Sequence, residues 1–558
     1  MRVVLAIALI AFIYYGCGGG GGDDDPYKDL TCARVTTNPY LFDMRDYESQ
    51  RVSYDDTLSA YQWHLKNWGQ KTGAGANSVA SNQIATGADL RVEPVWKDMN
   101  ITGRNVVIAV LDNGTDVSHP DLAPNYDENL SWNYITNDKD PYPFFTARAC
   151  AHGTATAAIA AAKGGNDGVI GVAPDAKIAA LNIGLGCGEI EESRFSAAIV
   201  DALSALLSAT RGNDLPIDIF SNSWGCDPAM DCLYQEHLDA IYEGTSDARG
   251  QKGTIYLFAA GNHRSRKVRS DYSPHLSEFE ILPIAALDAQ DRYAAYSNPG
   301  ANLLVSAYGG DNGGVIPGIV TADIVGCDTG FNSSYFMPHK RNNYGGFTTL
   351  MNGTSAATPM VAGVVALMLE ANPNLTWRDV RYILATTARK NDPQDSDWRT
   401  NGAGWHVNHN YGFGAVDAFA AVTKAKDFAS LGTTLLEERN ITSLDGKTIV
   451  IASPIKKIEY VNIVVKLTDY ESCGFGLTLI SPSGASARFV ENDIPTLVAD
   501  QMRATFLGHA EGDDGYGFGS PRFLDENASG TWRLELAKNS DCPNFAISRW
   551  SIYIKGRS

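Results

Sequence analysis

Positive charge is what this chain has least of. Its 558 residues carry 45 Lys and Arg against 64 Asp and Glu, a formal net charge of -19. An acidic surface of that size argues against nucleic acid as a partner and leaves calcium and basic peptides compatible. Histidine and cysteine are also scarce, ten and nine in all, and no CxxC or His-rich spacing offers a zinc site. No internal repeat is visible. The apolar run at residues 3–15 is too short to span a bilayer comfortably. What remains is ordinary globular composition, 44% hydrophobic, in a chain long enough for two domains and a sizeable core.

The amino terminus reads as an export signal. Met1-Arg2 is a short basic start, the apolar run follows, and Gly16-Cys17 then meets five glycines and three aspartates at 18–25. This resembles a bacterial lipoprotein signal in which Cys17 becomes the lipidated first residue, although Tyr14 and Tyr15 stand where smaller residues are usual. The expectation is an outer-membrane or cell-surface lipoprotein held to the membrane by its lipid, with plain secretion as the alternative. Residues 18–50 then serve as a flexible linker. Setting Cys17 aside leaves eight of the nine cysteines, an even number that suits disulfides in an oxidising compartment. Cys226 and Cys232 bracket a short loop, and Cys473 and Cys542 are the only cysteines in the last quarter. Each pair is expected to bridge. Cys32, Cys150, Cys187 and Cys327 have no assignable partners.

Continuous apolar, β-branched runs at 106–111, 178–183, 217–220, 254–260 and 281–286 predict buried parallel strands. Helical stretches at 197–209 and 233–242 lie between them. Strand–helix alternation implies an α/β core over residues 51–427, with functional turns at the carboxyl ends of the strands. From residue 428 the texture changes. Helical periodicity gives way to short β-rich runs separated by turns such as Ser481-Pro482-Ser483-Gly484, which predicts an all-β sandwich or jelly roll over 428–558.

Three stretches carry the chemistry: residues 106–122 (VVIAVLDNGTDVSHPDL), 151–161 (AHGTATAAIAA) and 352–363 (NGTSAATPMVAG). They place Asp112, His152 and Ser355, in that chain order, in Gly-rich turns beside apolar runs. Asp then His then Ser is the order of a subtilisin-type serine peptidase, which the three stretches resemble. A serine hydroxyl is a weak nucleophile until a neighbouring base takes its proton. His152 is the expected base and then acid, and Asp112 the group that orients and charge-stabilises it. Ser355 precedes an apolar helix, whose free amides and dipole favour developing negative charge; Pro359 reads as a first-turn proline. The C-terminal patterns GLTLISPSG, ASGTWRLEL and ISRWSIYIKG resemble the P domain that follows the catalytic domain in kexin- and furin-like proteases. A subtilisin-like parallel sheet followed by a β-sandwich P domain is therefore the expected fold, packed together as a monomer.

That resemblance implies further roles. Asn262, in FAAGN, matches the side-chain donor of the family's oxyanion hole. Ser221, Asn222, Ser223, Trp224 and Gly225 match its substrate-binding edge, to which an extended peptide adds as a strand. The acids that line the convertases' basic pockets are largely missing, with Asn113 after Asp112 and Cys226-Asp227-Pro228 after Gly225. Asp271 looks like one surviving acid at the base of the first pocket, so a single basic residue before the scissile bond is compatible and a strict dibasic requirement is not. Calcium is the implied cofactor. Asp56, Asp121 and Asp167 match side-chain ligands of the family's tight site, with backbone near Val169 and Gly171 and with Asn166 as the neighbouring alternative. Asn133, Asp138 and Asp140 form a second candidate site. A third is not expected, because Pro228, the basic run at 264–269 and Asn298 replace its acids.

About forty residues separate Cys17 from the catalytic domain, too few for the folded propeptide that subtilases usually carry, and folding is expected to need no cleaved propeptide or to use a separate chaperone. The leading reading is a calcium-stabilised serine endopeptidase. A catalytically inactive surface adhesin or scaffold, and an esterase using the same triad, are the rivals.

Overall fold

The computed structural model describes residues 58–70, 85–143, 150–165, 168–185, 198–199, 202, 217–225, 235–311, 318–325, 330–332, 346–432, 434–441, 447–468, 474–491, 515–538 and 546–558. Seven strands form one parallel sheet. They are β1 (Val107–Asp112), β2 (Trp132–Asn133), β3 (Lys177–Asn182), β4 (Ile219–Asn222), β5 (Ile255–Ala259), β6 (Ile281–Leu287) and β7 (Val305–Tyr308), in the order 2-3-1-4-5-6-7. β1 and β3 to β6 stand on the five apolar runs. Apart from Val107 and Lys177 at the strand starts, their side chains are buried on both faces, which is why the sequence reads as near-continuous hydrophobic stretches. β2 and β7, short and without such a run, were not expected.

The topology makes the crevice. β1 pairs with β3 on one side and β4 on the other. The chain builds outward to β2 and β3, then crosses back over β1 to begin β4. At such a reversal the connections leave on opposite sides, opening a cleft at the carboxyl ends of the two strands. Asp112 is the last residue of β1, and Ser223 directly follows β4.

Among the described residues the named α-helices are α1 (Glu93–Met99), α2 (His152–Ala161), α3 (Gln235–Gln251), α4 (Thr354–Ala371), α5 (Trp377–Thr387) and α6 (Ala418–Lys426). Among the described residues α4 alone is long and apolar enough to cross a membrane, and 83% of that window is buried in the protein. It is the core helix beneath the sheet. Small residues let α2 and α4 come close: a Cβ on Gly363 would lie 3.1 Å from the Ala160 carbonyl of α2. The antiparallel pair β8 (Ile319–Ala322) and β9 (Phe347–Met351) delivers the chain into α4, and β10 (Arg399–Thr400) pairs with β11 (His406–Val407).

The C-terminal region is all β. Two four-stranded antiparallel sheets contain β12 (Leu436–Ile441), β19 (Ala546–Arg557), β14 (Lys457–Thr468) and β17 (Tyr516–Ser520), and β13 (Thr448–Ile451), β18 (Gly530–Lys538), β15 (Phe475–Ile480) and β16 (Ser486–Val490), each in that order. Side chains of both sheets, Trp532 and Trp550 among them, form a single buried cluster, which is the sandwich that the sequence predicts. The cluster also takes in Val268, Tyr272 and Ala301 of the preceding region. Buried polar contacts complete the junction: Arg378 forks onto Glu459 at 2.6 and 2.9 Å, and Ser520 Oγ donates to the Ala301 carbonyl at 2.7 Å.

His64 is fully buried, and neither ring nitrogen has a hydrogen-bond partner. Burial pulls its pKa down from 6.5 to about 3. The folded chain therefore resists a proton that the unfolded chain accepts. Stability is intact above pH 6.5 and falls as the pH drops from 6.5 toward 3. His64→Leu is expected to lose less stability than the wild type over that range. Denaturant midpoints at pH 7, 6 and 5 test this, and an equal decline in both proteins contradicts it.

Candidate active site

Asp112 is 1% exposed at the end of the central strand. Its Oδ1 accepts the Asn113 N–H at 2.8 Å, and both oxygens lie 2.9 Å from His152 Nδ1. Thr156 Oγ1 approaches Oδ2 at 3.5 Å. The imidazole is thus held by a buried carboxylate with Nδ1 as donor, which leaves Nε2 to act as a base. Burial pulls the His152 pKa down, but the charge of Asp112 and the hydrogen bond to it outweigh that, and the net shift is upward from 6.5.

His152 opens α2, whose first turn lacks a capping side chain of its own. Asn113 supplies one from outside: its Oδ1 accepts the Gly153 N–H at 2.9 Å. From the sequence Asn113 was only a missing acid. In the fold it sets the distance between the Asp112 turn and the His152 helix.

Ser355 is the second residue of α4, after Gly353 at φ +100°. Its hydroxyl donates to the Ser223 carbonyl at 2.8 Å, so in this resting geometry the proton is not directed at the imidazole. Ser223 Oγ returns a bond to the Ser355 carbonyl at 2.9 Å. That carbonyl is free because Pro359, four residues on, has no N–H to give it. Pro359 therefore lies in the second turn of α4, not the first as the sequence reading has it.

Asn262 is exposed just beyond β5, and its Oδ1 accepts both Thr354 N–H and Thr354 Oγ1 at 2.9 Å. The oxygen being committed, Nδ2 is the free end of the amide. A Cβ placed on Gly353 would lie 3.2 Å from Asn262 Nδ2 and 3.5 Å from Ser355 N. Two donors thus flank a space that only glycine leaves open.

Comparison with known proteins agrees with this geometry. The subtilase family profile matches residues 103–414, more than half of the 558. The chain belongs to the subtilase family. Neuroendocrine convertase 2 of Sus scrofa is 28% identical over 538 residues, covering 92% of this chain and 76% of the relative. PC3-like endoprotease variant B of Hydra vulgaris is 30% identical over 499 residues, covering 86% and 62%. The serine protease of Aeromonas sobria has the same fold, with a TM-score of 0.77 and 24% identity over 97% of this chain and all of that one. The same protease has also been solved in complex with its chaperone, ORF2, and there the TM-score is 0.75 over 95% and 98%. This subtilase is accordingly a serine endopeptidase related to the convertases.

Several expected site residues take other places. Ser221 and Asn222 lie within β4, fully buried between β1 and β5, and have no edge to offer a peptide. Only Ser223, Trp224 and Gly225 emerge past the strand, with Trp224 anchored by its indole N–H to the Leu111 carbonyl at 2.8 Å. Asp271 is not a pocket acid. It is fully buried and gives both oxygens to Arg269, at 3.0 and 3.1 Å, and Oδ2 also accepts Ala301 N–H at 2.6 Å. Arg269 continues to the Phe489 carbonyl and Glu491, so the pair ties the C-terminal region to the catalytic core. The signal that could have shown this is the adjacent RSD spacing, which lets a buried Arg fold onto the acid two residues later.

The second candidate calcium loop is held by its own hydrogen bonds. Asn133 Oδ1 accepts the Ile135 and Thr136 amides and its Nδ2 donates to the Asp140 carbonyl. Asp138 and Asp140 each accept an amide two residues on. The three side chains brace a turn, with Oδ1 of each used for these bonds. Of the first site, Asp121 is fully buried, accepts Val169 N–H at 2.9 Å, and would touch any Cβ on residue 168 at 2.0 Å. Gly171 is packed against the Ala161–Ala162 backbone. Asp56, Asp167 and the alternative Asn166 lie outside the described residues, as do Cys17, Cys32, Cys187, Cys226, Cys232, Cys327, Cys473 and Cys542. Cys150 is disulfide-bonded. No group of three or more His, Cys, Asp or Glu suited to a metal occurs among the described residues.

Removing one member of a buried ion pair leaves the other uncompensated, at a cost of about 3–5 kcal/mol. Asp271→Asn is therefore expected to lower unfolding free energy by about that much while leaving residue preference before the scissile bond unchanged. Denaturant unfolding and cleavage mapping on a peptide library read the two effects. A changed preference at unchanged stability would restore the pocket role.

Proposed function

We propose that this subtilase cleaves peptide bonds through an acyl-enzyme on Ser355. The observation that carries the reading is the pairing of His152 with a buried Asp112 across the cleft where Ser355 opens α4 beside Asn262. A peptide lies along Ser223, Trp224 and Gly225. The Ser355 hydroxyl turns from the Ser223 carbonyl to His152 Nε2, gives up its proton there, and its oxygen attacks the scissile carbonyl. The resulting oxyanion sits between Asn262 Nδ2 and Ser355 N. His152 then returns the proton to the departing amine as the C–N bond breaks. Water repeats the sequence, and Ser355 leaves with its proton restored. Asp112 keeps the imidazole in the required tautomer and stabilises its cation throughout.

The rates follow from these roles. Ser355→Ala is expected to abolish hydrolysis of a peptide amide, and Asp112→Asn to reduce kcat about 10⁴-fold. A neutral His152 is required, so kcat/KM falls as pH drops through its raised pKa, and the midpoint lies above 6.5. In Asp112→Asn the raising charge is gone and burial remains, so any residual acid limb moves to lower pH. A limb at or below 6.5 in the wild type contradicts the assignment. Turnover of an ester without the matching amide would favour the esterase reading.

Calcium is the proposed cofactor, held by Asp121, Asp56 and Asp167 with backbone from Val169 and Gly171. A buried carboxylate pressed on the 168–169 backbone fits a hard, oxygen-seeking cation. When bound it ties the segment before residue 58 to the loop after α2. Chelation is expected to lower the Tm of the wild type and to leave that of Asp121→Asn nearly unmoved; equal shifts in both contradict the site. Export is supported by the disulfide at Cys150, and tethering through a lipidated Cys17 completes the reading. A separate folding chaperone is proposed by analogy with the Aeromonas protease, whose structure includes one.

A further inference from the structure

We infer that Tyr296 and Asn298 are positioning residues for the oxyanion hole, and that the short segment 296–298 registers its two halves against each other. The inference rests on the proposed acyl-enzyme reading and adds residues that touch neither substrate nor the triad. The two donors come from distant parts of the chain, Asn262 after β5 and Ser355 N at the head of α4. Something must fix their separation, because a donor aimed at the future oxyanion works only if it is already in place.

Tyr296 grips both sides. Its phenol oxygen accepts the Gly353 N–H at 2.8 Å, two residues before Ser355. The same hydroxyl donates toward the Gly309 and Gly310 carbonyls, at 2.9 and 2.8 Å. Its backbone carbonyl accepts the Arg264 N–H at 3.1 Å, two residues after Asn262. There is no slack beneath: a Cβ on Gly309 would come within 2.6 Å of both the Gly353 carbonyl and the phenol oxygen. Burial raises the Tyr296 pKa, so the phenol keeps the proton that it donates.

Asn298 grips the Asn262 turn from its other face. Its Oδ1 accepts His263 N–H at 2.7 Å, and its Nδ2 donates to the Ala260 carbonyl at 3.2 Å. Its own N–H donates to the Gly261 carbonyl at 3.0 Å. A Cβ on Gly261 would meet Asn298 Nδ2 at 2.5 Å, so the turn lies flush against the amide. Ser297 between them accepts Ala286 N–H from β6 at 2.9 Å, which fixes the brace to the sheet. Every residue flanking Asn262, from Ala260 to Arg264, is thus bonded to segment 296–298 or Thr354, and only the Asn262 Nδ2 end is left to face the cleft.

The test uses the full chain and a peptide amide substrate. Tyr296→Phe keeps the ring and removes the shorter of the two acceptors of Gly353 N–H, the other being the Gly309 carbonyl at 3.1 Å. Asn298→Ala removes the amide beneath Asn262. A shift of about 1 Å in a reacting geometry costs up to about 100-fold, and each variant is expected to lose about 10- to 100-fold in kcat with KM within about twofold. The decisive arm is a cycle with Asn262→Ala. If Asn298 acts by aiming Asn262, Asn298→Ala costs little more once that amide is absent. Full additivity, or a loss confined to KM, overturns the inference. Circular dichroism and Tm are read on every variant, and if Asn298→Ala does not fold the isosteric Tyr296→Phe carries the test alone. An inactive wild type, or activity kept in Ser355→Ala, would fault the acyl-enzyme reading; an active wild type with unchanged Tyr296→Phe would fault only the brace.

Discussion

A carboxylate with 1% exposure at the end of the central strand is the constraint on which the site turns. Burying a charge is costly unless its lone pairs are used. Asp112 meets that condition with one backbone amide, one imidazole and, at 3.5 Å, the Thr156 hydroxyl. His152 is therefore fixed in direction and raised in basicity by the group that needs it for satisfaction. The helix that begins with His152 must then start within reach of the β1 turn, which Asn113 secures by capping Gly153. The topology brings Ser223 to the neighbouring strand end, and Ser223 receives Ser355.

Much of this was legible in sequence because it depends on local patterns. Five short, largely apolar runs bounded by turns suit strands covered on both faces, and all five are in the sheet. Asp112, His152 and Ser355 sit in Gly-rich turns next to such runs, where strand ends and helix starts must lie. What was not legible depends on contacts between distant segments. Asp271 looks like a pocket acid until Arg269 and the C-terminal region cover it. Asn133, Asp138 and Asp140 have the composition of a cation loop, and one oxygen of each is taken by an amide two or three residues on. Ser221 and Asn222 match an edge segment by type, yet β5 occupies their edge. In each case residue type was read correctly and the competitor for its hydrogen bonds was invisible.

The junction between the two regions follows the same rule. Arg269 and Arg378 are buried cations, each forked onto a carboxylate and extended to backbone carbonyls across the boundary. Arginine's planar array of donors can satisfy several acceptors at once, which suits a buried seam better than lysine's point charge. Asp271 is linked to the braces on the oxyanion side, since Ala301, whose N–H it accepts, lies three residues after Asn298. Docking of the sandwich and the geometry of the cleft therefore share a stretch of backbone.

The central claim is that Ser355 is a nucleophile activated by His152. Treating the folded protein with a fluorophosphonate and mapping the adduct by mass spectrometry tests it most directly. One covalent adduct on Ser355, lost in His152→Ala, is the predicted result. No adduct, or one on another residue with Ser355 unmodified, would contradict it.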